Sequence, residues 1–160
     1  MAVDDLIRPI ILATDPVVVA VGRNIGVGGA ILPLAADLVL VREGVVLNPH
    51  HRNMGRLYGS ECWTYPLPRR VGWERPLALT KSCLPISARR AAGIGLAGRA
   101  IAGGAFDLTV QAVAAAKAED HAAITARKQA MRETDEAQRP LAPYRRAELT
   151  QMYRNFFQPD

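Results

Sequence analysis

Residues 91–116 read AAGIGLAGRAIAGGAFDLTVQAVAAA, a run of glycine, alanine and apolar side chains in which only Arg99, Asp107 and Gln111 are strongly polar. Small residues recur in it at steps of four. Ala91, Gly95 and Gly103 fall on one line with Arg99, and Gly98 and Ala102 fall on another with Phe106. At helical pitch, residues four apart share a face, so the run predicts a helix with a groove of bare backbone. Such a groove lets a second helix approach closely, as small residues do in membrane helix pairs. In water the same helix is poor, because each interior glycine costs roughly 1 kcal/mol relative to alanine.

A second stretch repeats the pattern. Residues 16–41 (PVVVAVGRNIGVGGAILPLAADLVLV) carry Gly22, Gly26 and Ala30 at the same spacing. Asp15 reads as an N-cap and Pro16 as the first helical residue, and the length suits the roughly 20 residues that span a bilayer. Arg23, Asn24, Pro33 and Asp37 work against a simple span, since charges inside a membrane are costly and turn toward protein or water. The alternative for these residues is a strand over 17–21, a glycine turn, and a helix or second strand ending at Val41, which the valines favour.

Composition supports small-residue packing: the chain is 49% apolar but only 6% aromatic, so bulky side chains for a large core are few. The net charge of +5 is unevenly placed, with nine Lys/Arg against three Asp/Glu in residues 42–90. Pro49, Pro66, Pro68, Pro76 and Pro85 deny that segment long helices. Its Trp63 and Trp73 stand among Arg69, Arg70, Arg89 and Arg90, a pattern expected of an interfacial loop on the negatively charged side of a membrane. Those residues are therefore expected to contact lipid head groups or a partner subunit. Residues 117–139 are alanine-rich and charged, a strong helix former ended by Pro140 and Pro143. The tail over 140–160 brings Tyr153, Phe156 and Phe157, which predict docking onto a neighbour. The lead over 1–15 has Asp4 and Asp5 and no basic residue before Arg8, which fits neither a signal nor a transit peptide.

Motifs that would carry chemistry fail on context. Gly93-Ile94-Gly95-Leu96-Ala97-Gly98 matches GxGxxG, yet no strand precedes it and no acidic residue ends a second strand some twenty positions on. The Gly22–Gly29 run follows a good strand, VVVAV, with the wrong spacing. His50, His51, Cys62 and Cys83 lack the paired knuckles of a structural zinc site. Three histidines, two of them adjacent, give no nucleophile–base set.

The sequence thus predicts a mainly α chain: two apolar transmembrane helices at 16–41 and 91–116, a basic loop at 42–90, a polar helix at 117–139 and a docking tail. No catalytic residue, cofactor or metal is expected. The predicted role is a non-catalytic structural or accessory subunit of a large membrane complex, a respiratory-chain or ATP synthase assembly of the mitochondrial inner membrane. Its expected partners are other subunits and lipid head groups, with neither nucleic acid nor a small-molecule substrate. The alternative is a soluble structural protein of a virion or ribosome. The motifs identify no family.

Overall fold

The computed structural model describes residues 4–51 and 55–158. The start of the 1–15 lead, Arg52 of the basic loop and the last two residues of the tail lie outside the described residues.

In chain order, α1 (Asp4–Leu12) leads to β1 (Val18–Val21), β2 (Ile25–Gly26) and α2 (Gly28–Ile31), which runs on as a 3-10 turn over Leu32–Ala35. Then come β3 (Leu38–Arg42), β4 (Val46–Asn48), α3 (Pro66–Val71), α4 (Pro76–Ser82), β5 (Ile86–Ser87) and α5 (Ala88–Gly93). The chain continues through β6 (Arg99–Ile101), a 3-10 turn at Gly103–Ala105, α6 (Phe106–Glu119), α7 (His121–Gln138) and α8 (Leu141–Phe157).

The predicted helix over 16–41 is absent. Its valines are β-branched, which restricts them in helices and suits them to strands. Val18–Val21 pairs in parallel with Leu38–Arg42, Val19 opposite Val39 and Val21 opposite Val41. β6 adds a third parallel strand on the far side of β3. Near-continuous apolar runs are what parallel strands covered on both faces require, and here both faces are covered. Val39 and Val41 enter the main core with Ile7, Ile31, Leu47, Leu67 and Leu96, while Leu40 meets Ile101 and Phe106 beneath α6. Arg23 and Asn24 fall in the turn between β1 and β2, and the Asn24 side chain accepts from the Val46 amide at 2.9 Å. A second small sheet joins β2 in parallel to β4, and β4 antiparallel to β5.

The helix predicted over 91–116 is also corrected. The chain leaves α5, turns at Gly95 (φ +82°) and enters β6 before α6 begins at Phe106. A β-carbon on Gly95 would lie on the Arg70 carbonyl oxygen, so this glycine serves a tight turn against α3. The Gly98 amide donates to the Val39 carbonyl at 2.8 Å. The four-residue spacing of small residues is therefore shared among a helix end, a turn and a strand. Among the described residues no helix is long and apolar enough to cross a membrane.

Candidate functional site

Within the tail, Leu141–Phe157 forms α8, and its inward face organises the loop that precedes α3. Glu148, Met152 and Asn155 are spaced by four and three residues and so line one side of the helix. The Thr64 amide donates to Glu148 Oε1 at 2.8 Å, the Gly59 amide to Met152 Sδ at 3.2 Å, and the Tyr58 amide to Asn155 Oδ1 at 2.9 Å. The Thr64 hydroxyl also donates to Glu148 Oε1, and Glu148 is fully buried. Loop amides without a sheet partner must be satisfied by something, and here one helix face supplies three acceptors. Within the loop, the Trp63 indole N–H donates to the Tyr58 carbonyl at 3.1 Å.

That loop delivers Glu61 to the start of α2. A β-carbon on Gly28 would sit 2.8 Å from Glu61 Oε1, so only glycine leaves room for this carboxylate. The residue before it, Val27, has φ +52° and ψ −130°. For a β-branched side chain this backbone is strained, and such strain gathers at functional sites. Glu61 Oε2 accepts from the Ser60 amide at 3.0 Å and lies 3.5 Å from His51 Nε2.

His51 is buried, its ring lying over Gly59, where a β-carbon would fall 2.7 Å from Nε2. Among the described residues that nitrogen has no hydrogen-bond partner. Burial pushes the His51 pKa below its ordinary value of 6.5, the Glu61 charge opposing this and His50 reinforcing it. A group whose native pKa is depressed leaves the unfolded chain binding more protons as pH falls below about 6.5, so stability falls with it. Urea unfolding at pH 7.5 and pH 5 should show this loss in the parent and a smaller one in His51→Gln. An equal loss in both would remove His51 from the pH dependence.

Beside the loop, α1, α7 and α8 enclose a cavity of about 970 Å³, within the roughly 300–1,000 Å³ usual for small-molecule sites. Ile7, Ile11, Leu141 and Leu149 supply apolar wall, Cys62 lies on it, and Arg8, Arg145 and Arg146 supply positive charge opposite Glu133 and Glu136. A second charged cluster ties α3 to α7. The Tyr65 hydroxyl donates to Asp135 Oδ2 at 2.7 Å, Arg132 donates to the Tyr65 oxygen at 2.6 Å, and Arg69 donates to Asp135 while its guanidinium lies 3.9 Å above the Tyr65 ring. Burial first, and then the Asp135 hydrogen bond, push the Tyr65 phenol up to about 12. Burial raises the Asp135 carboxyl, but hydrogen bonds from Arg69 and Tyr65 outweigh it and hold the group below its ordinary value.

The residues predicted to touch lipid or a partner have several different fates. Trp63 is buried in the core. Arg69 is held by Asp135, and Arg70 donates to the Leu34 and Ala36 carbonyls. Arg89 pairs with Glu43 on the surface. Trp73, Arg90, Tyr153, Phe156 and Phe157 are exposed, and Tyr153 also borders the large cavity. Of the glycine set, Gly22 approaches Phe106, Gly26 lies in β2, Ala30 is buried in α2, and Gly103 lies against Arg42. No pair of helices brings them together. Sequence reasoning passed over Glu61 and Glu148 altogether. The adjacent pair His50-His51 enters the sequence analysis only as metal ligands or as part of a nucleophile–base set, and not as a buried titratable group. Of the two cysteines, Cys62 is buried and Cys83 partly so.

An enoyl-CoA hydratase from Bacillus halodurans superposes with a TM-score of 0.86 over 98% of this chain and 62% of its own, at 20% identity. The fold is that of the enoyl-CoA hydratases. Hydrogenase maturation factor HoxX from Bradyrhizobium diazoefficiens is 45% identical over 160 residues, covering 98% of this chain and 28% of HoxX. HypX from Aquifex aeolicus matches with a TM-score of 0.84 and 37% identity, over 99% of this chain and 29% of HypX. HypX has also been crystallised with tetrahydrofolic acid. The chain thus spans less than a third of the length of these relatives. No protein-family model matches it.

These likenesses overturn the functional expectations. A respiratory-chain or ATP synthase subunit of the mitochondrial inner membrane is not supported, since the HoxX relative is a hydrogenase maturation factor and no described helix is long and apolar enough to cross a membrane. The virion or ribosome alternative fails on the same likenesses. The expectation of a non-catalytic chain with subunits and lipid as partners gives way too. The fold is one that enzymes use, and a relative binds a small molecule.

Proposed function

We propose that this chain supplies part of a hydrogenase maturation factor of the HoxX and HypX kind. In this reading its arginine-bordered cavity holds a small molecule, and Glu61, outside the cavity lining, is a separate acid–base group. The observation that carries the reading is 45% identity to HoxX across essentially all of these residues. The cavity between α1, α7 and α8 supports a ligand with an apolar body and an anionic group, because apolar wall meets guanidinium charge there. The Glu61 carboxylate faces Gly28 and His51 rather than the cavity, fixed by the Ser60 amide and by packing on Gly28. His51, kept neutral by burial, lies close enough to pass or take a proton through small movements of either side chain.

The test is a chimera of the Bradyrhizobium HoxX in which the matching stretch is replaced by this chain, expressed in a strain lacking its own HoxX. The chimera should restore active hydrogenase. A chimera carrying Glu61→Gln should accumulate equally and yield about 100-fold less active enzyme, the lower range of general acid–base contributions. A stable wild-type chimera without hydrogenase maturation would end the maturation-factor reading. Full activity with Glu61→Gln would remove only the role of Glu61.

A further inference from the structure

A second cavity, of about 300 Å³, lies against the first, and Ile11 and Arg132 line both. It is walled by α3, by α7 and by the turn that leads into β3. Arg69, Arg70, Arg127, Lys128 and Arg132 line it, with Asp37 as their acidic neighbour among the described lining residues.

The carboxylates nearby answer three of these cations. Lys128 Nζ donates to Asp37 Oδ2 at 2.8 Å and to the Asp15 carbonyl at 3.0 Å. Arg69 lies 3.1 Å from Asp135 Oδ1. Arg132 reaches Asp135 through the Tyr65 hydroxyl and lies 4.0 Å from Glu136. Arg70 and Arg127 are left. Arg70 has only neutral acceptors, the Leu34 carbonyl at 2.8 Å and the Ala36 carbonyl. A guanidinium carries five N–H donors in a planar fork, so most of those on Arg70 stay unused. Burial pulls the Arg70 group below its ordinary value, with the Asp37 charge opposing, as expected of a cation held from water without a full counter-charge. Arg127 has no hydrogen-bond or ion-pair partner among the described residues.

A concave wall with surplus charge of one sign concentrates the opposite ion. Guanidinium forks bind phosphate and carboxylate oxygens in pairs, and two unanswered cations match a phosphate, which carries close to two negative charges at neutral pH. A carboxylate would answer only one of them. The volume stands at the lower end of the roughly 300–1,000 Å³ usual for small-molecule sites, so the ligand is small. We propose that this cavity is a phosphate site, taking inorganic phosphate or a phosphomonoester of a few carbons, with Arg70 and Arg127 as its binding residues. Leu34, Ile124 and Met131 on the same wall would face the carbon body of an ester. The site is separate from Glu61 and does not rest on the maturation-factor reading.

Equilibrium dialysis of the 160-residue chain against radiolabelled inorganic phosphate at constant ionic strength tests this, with glycerol 3-phosphate and acetate as competitors. Phosphate should bind one-to-one, and acetate should compete at least about 10-fold more weakly, as one charge-assisted contact is weaker than two. Arg127→Gln should lower phosphate affinity by about 10-fold or more, the weight of one charge-assisted hydrogen bond. Arg127 is exposed, so this variant should fold as the parent does. Arg70→Lys should weaken binding as well, and the Arg127 comparison stands alone if that variant fails to fold. Arg146→Gln, on the wall of the larger cavity, should leave phosphate affinity unchanged. Stronger competition by the ester than by unlabelled phosphate assigns the site to a phosphomonoester, and equal or weaker competition assigns it to inorganic phosphate. The proposal is overturned by absence of phosphate binding, by acetate competing as well as phosphate, by unaltered affinity in Arg127→Gln, or by loss of affinity in Arg146→Gln.

Discussion

Gly95→Val should be among the most damaging single substitutions in this chain, destabilising it by about 3 kcal/mol or more. Two costs combine. The backbone at Gly95 has φ +82°, where any L side chain is strained and a β-branched one most of all. The new β-carbon would also fall on the Arg70 carbonyl oxygen, and backbone yields less readily than a side-chain tip. Relief would have to move α3 away from the turn, and Arg70 is itself bonded to the Leu34 and Ala36 carbonyls that lead into β3. Urea unfolding should show a lower midpoint with little change in slope. Gly93→Ala is the control. That position ends α5 with nothing within 4 Å of a new β-carbon, and alanine there should be neutral or mildly stabilising. Comparable losses in both variants would remove the steric account of Gly95.

Glu148→Ala should cost on the order of 2–4 kcal/mol, since each donor left without its acceptor costs roughly 1–3 kcal/mol. The substitution strips both the amide and the hydroxyl of Thr64 of their acceptor, and a buried donor left unmade is costly. It also opens space beneath a side chain with no exposed surface. Glu148→Gln retains an acceptor oxygen and should recover most of the loss. Thermal unfolding of the two variants decides the matter. If glutamine is as damaging as alanine, the charge and not the acceptor holds the loop.

Some of this architecture could be read from the sequence, and the point of failure is specific. The run PVVVAV followed by Arg23, Asn24 and glycines was legible as strand and turn, and Val18–Val21 is a strand. It stands only as the alternative reading because the same letters also fit the length of a membrane span. Length and hydropathy do not distinguish a membrane helix from a parallel strand buried on both faces, which shows no alternation. The 91–116 run misled for a related reason. Its glycines repeat at helical spacing by coincidence, and the signal that separates them is tertiary: Gly95 is set by the Arg70 carbonyl, twenty-five positions earlier. The candidate site was less visible still. Gly28 lies more than twenty positions before His51 and Glu61, and α8 bonds the loop that carries Glu61 to it.

The α8 acceptors make the helix a ruler. Each residue turns an α-helix by about 100°, so the spacing between Glu148, Met152 and Asn155 is set as firmly as their chemistry. Deleting one residue between Glu148 and Met152 would swing Met152 and Asn155 off the loop together while leaving every retained side chain unaltered. Substitutions in this helix can thus be conservative one by one, whereas its length cannot drift. Insertions compatible with the fold belong beyond Asn155 or before Leu141, and an engineer grafting this helix elsewhere would need to carry the loop from Tyr58 to Thr64 with it.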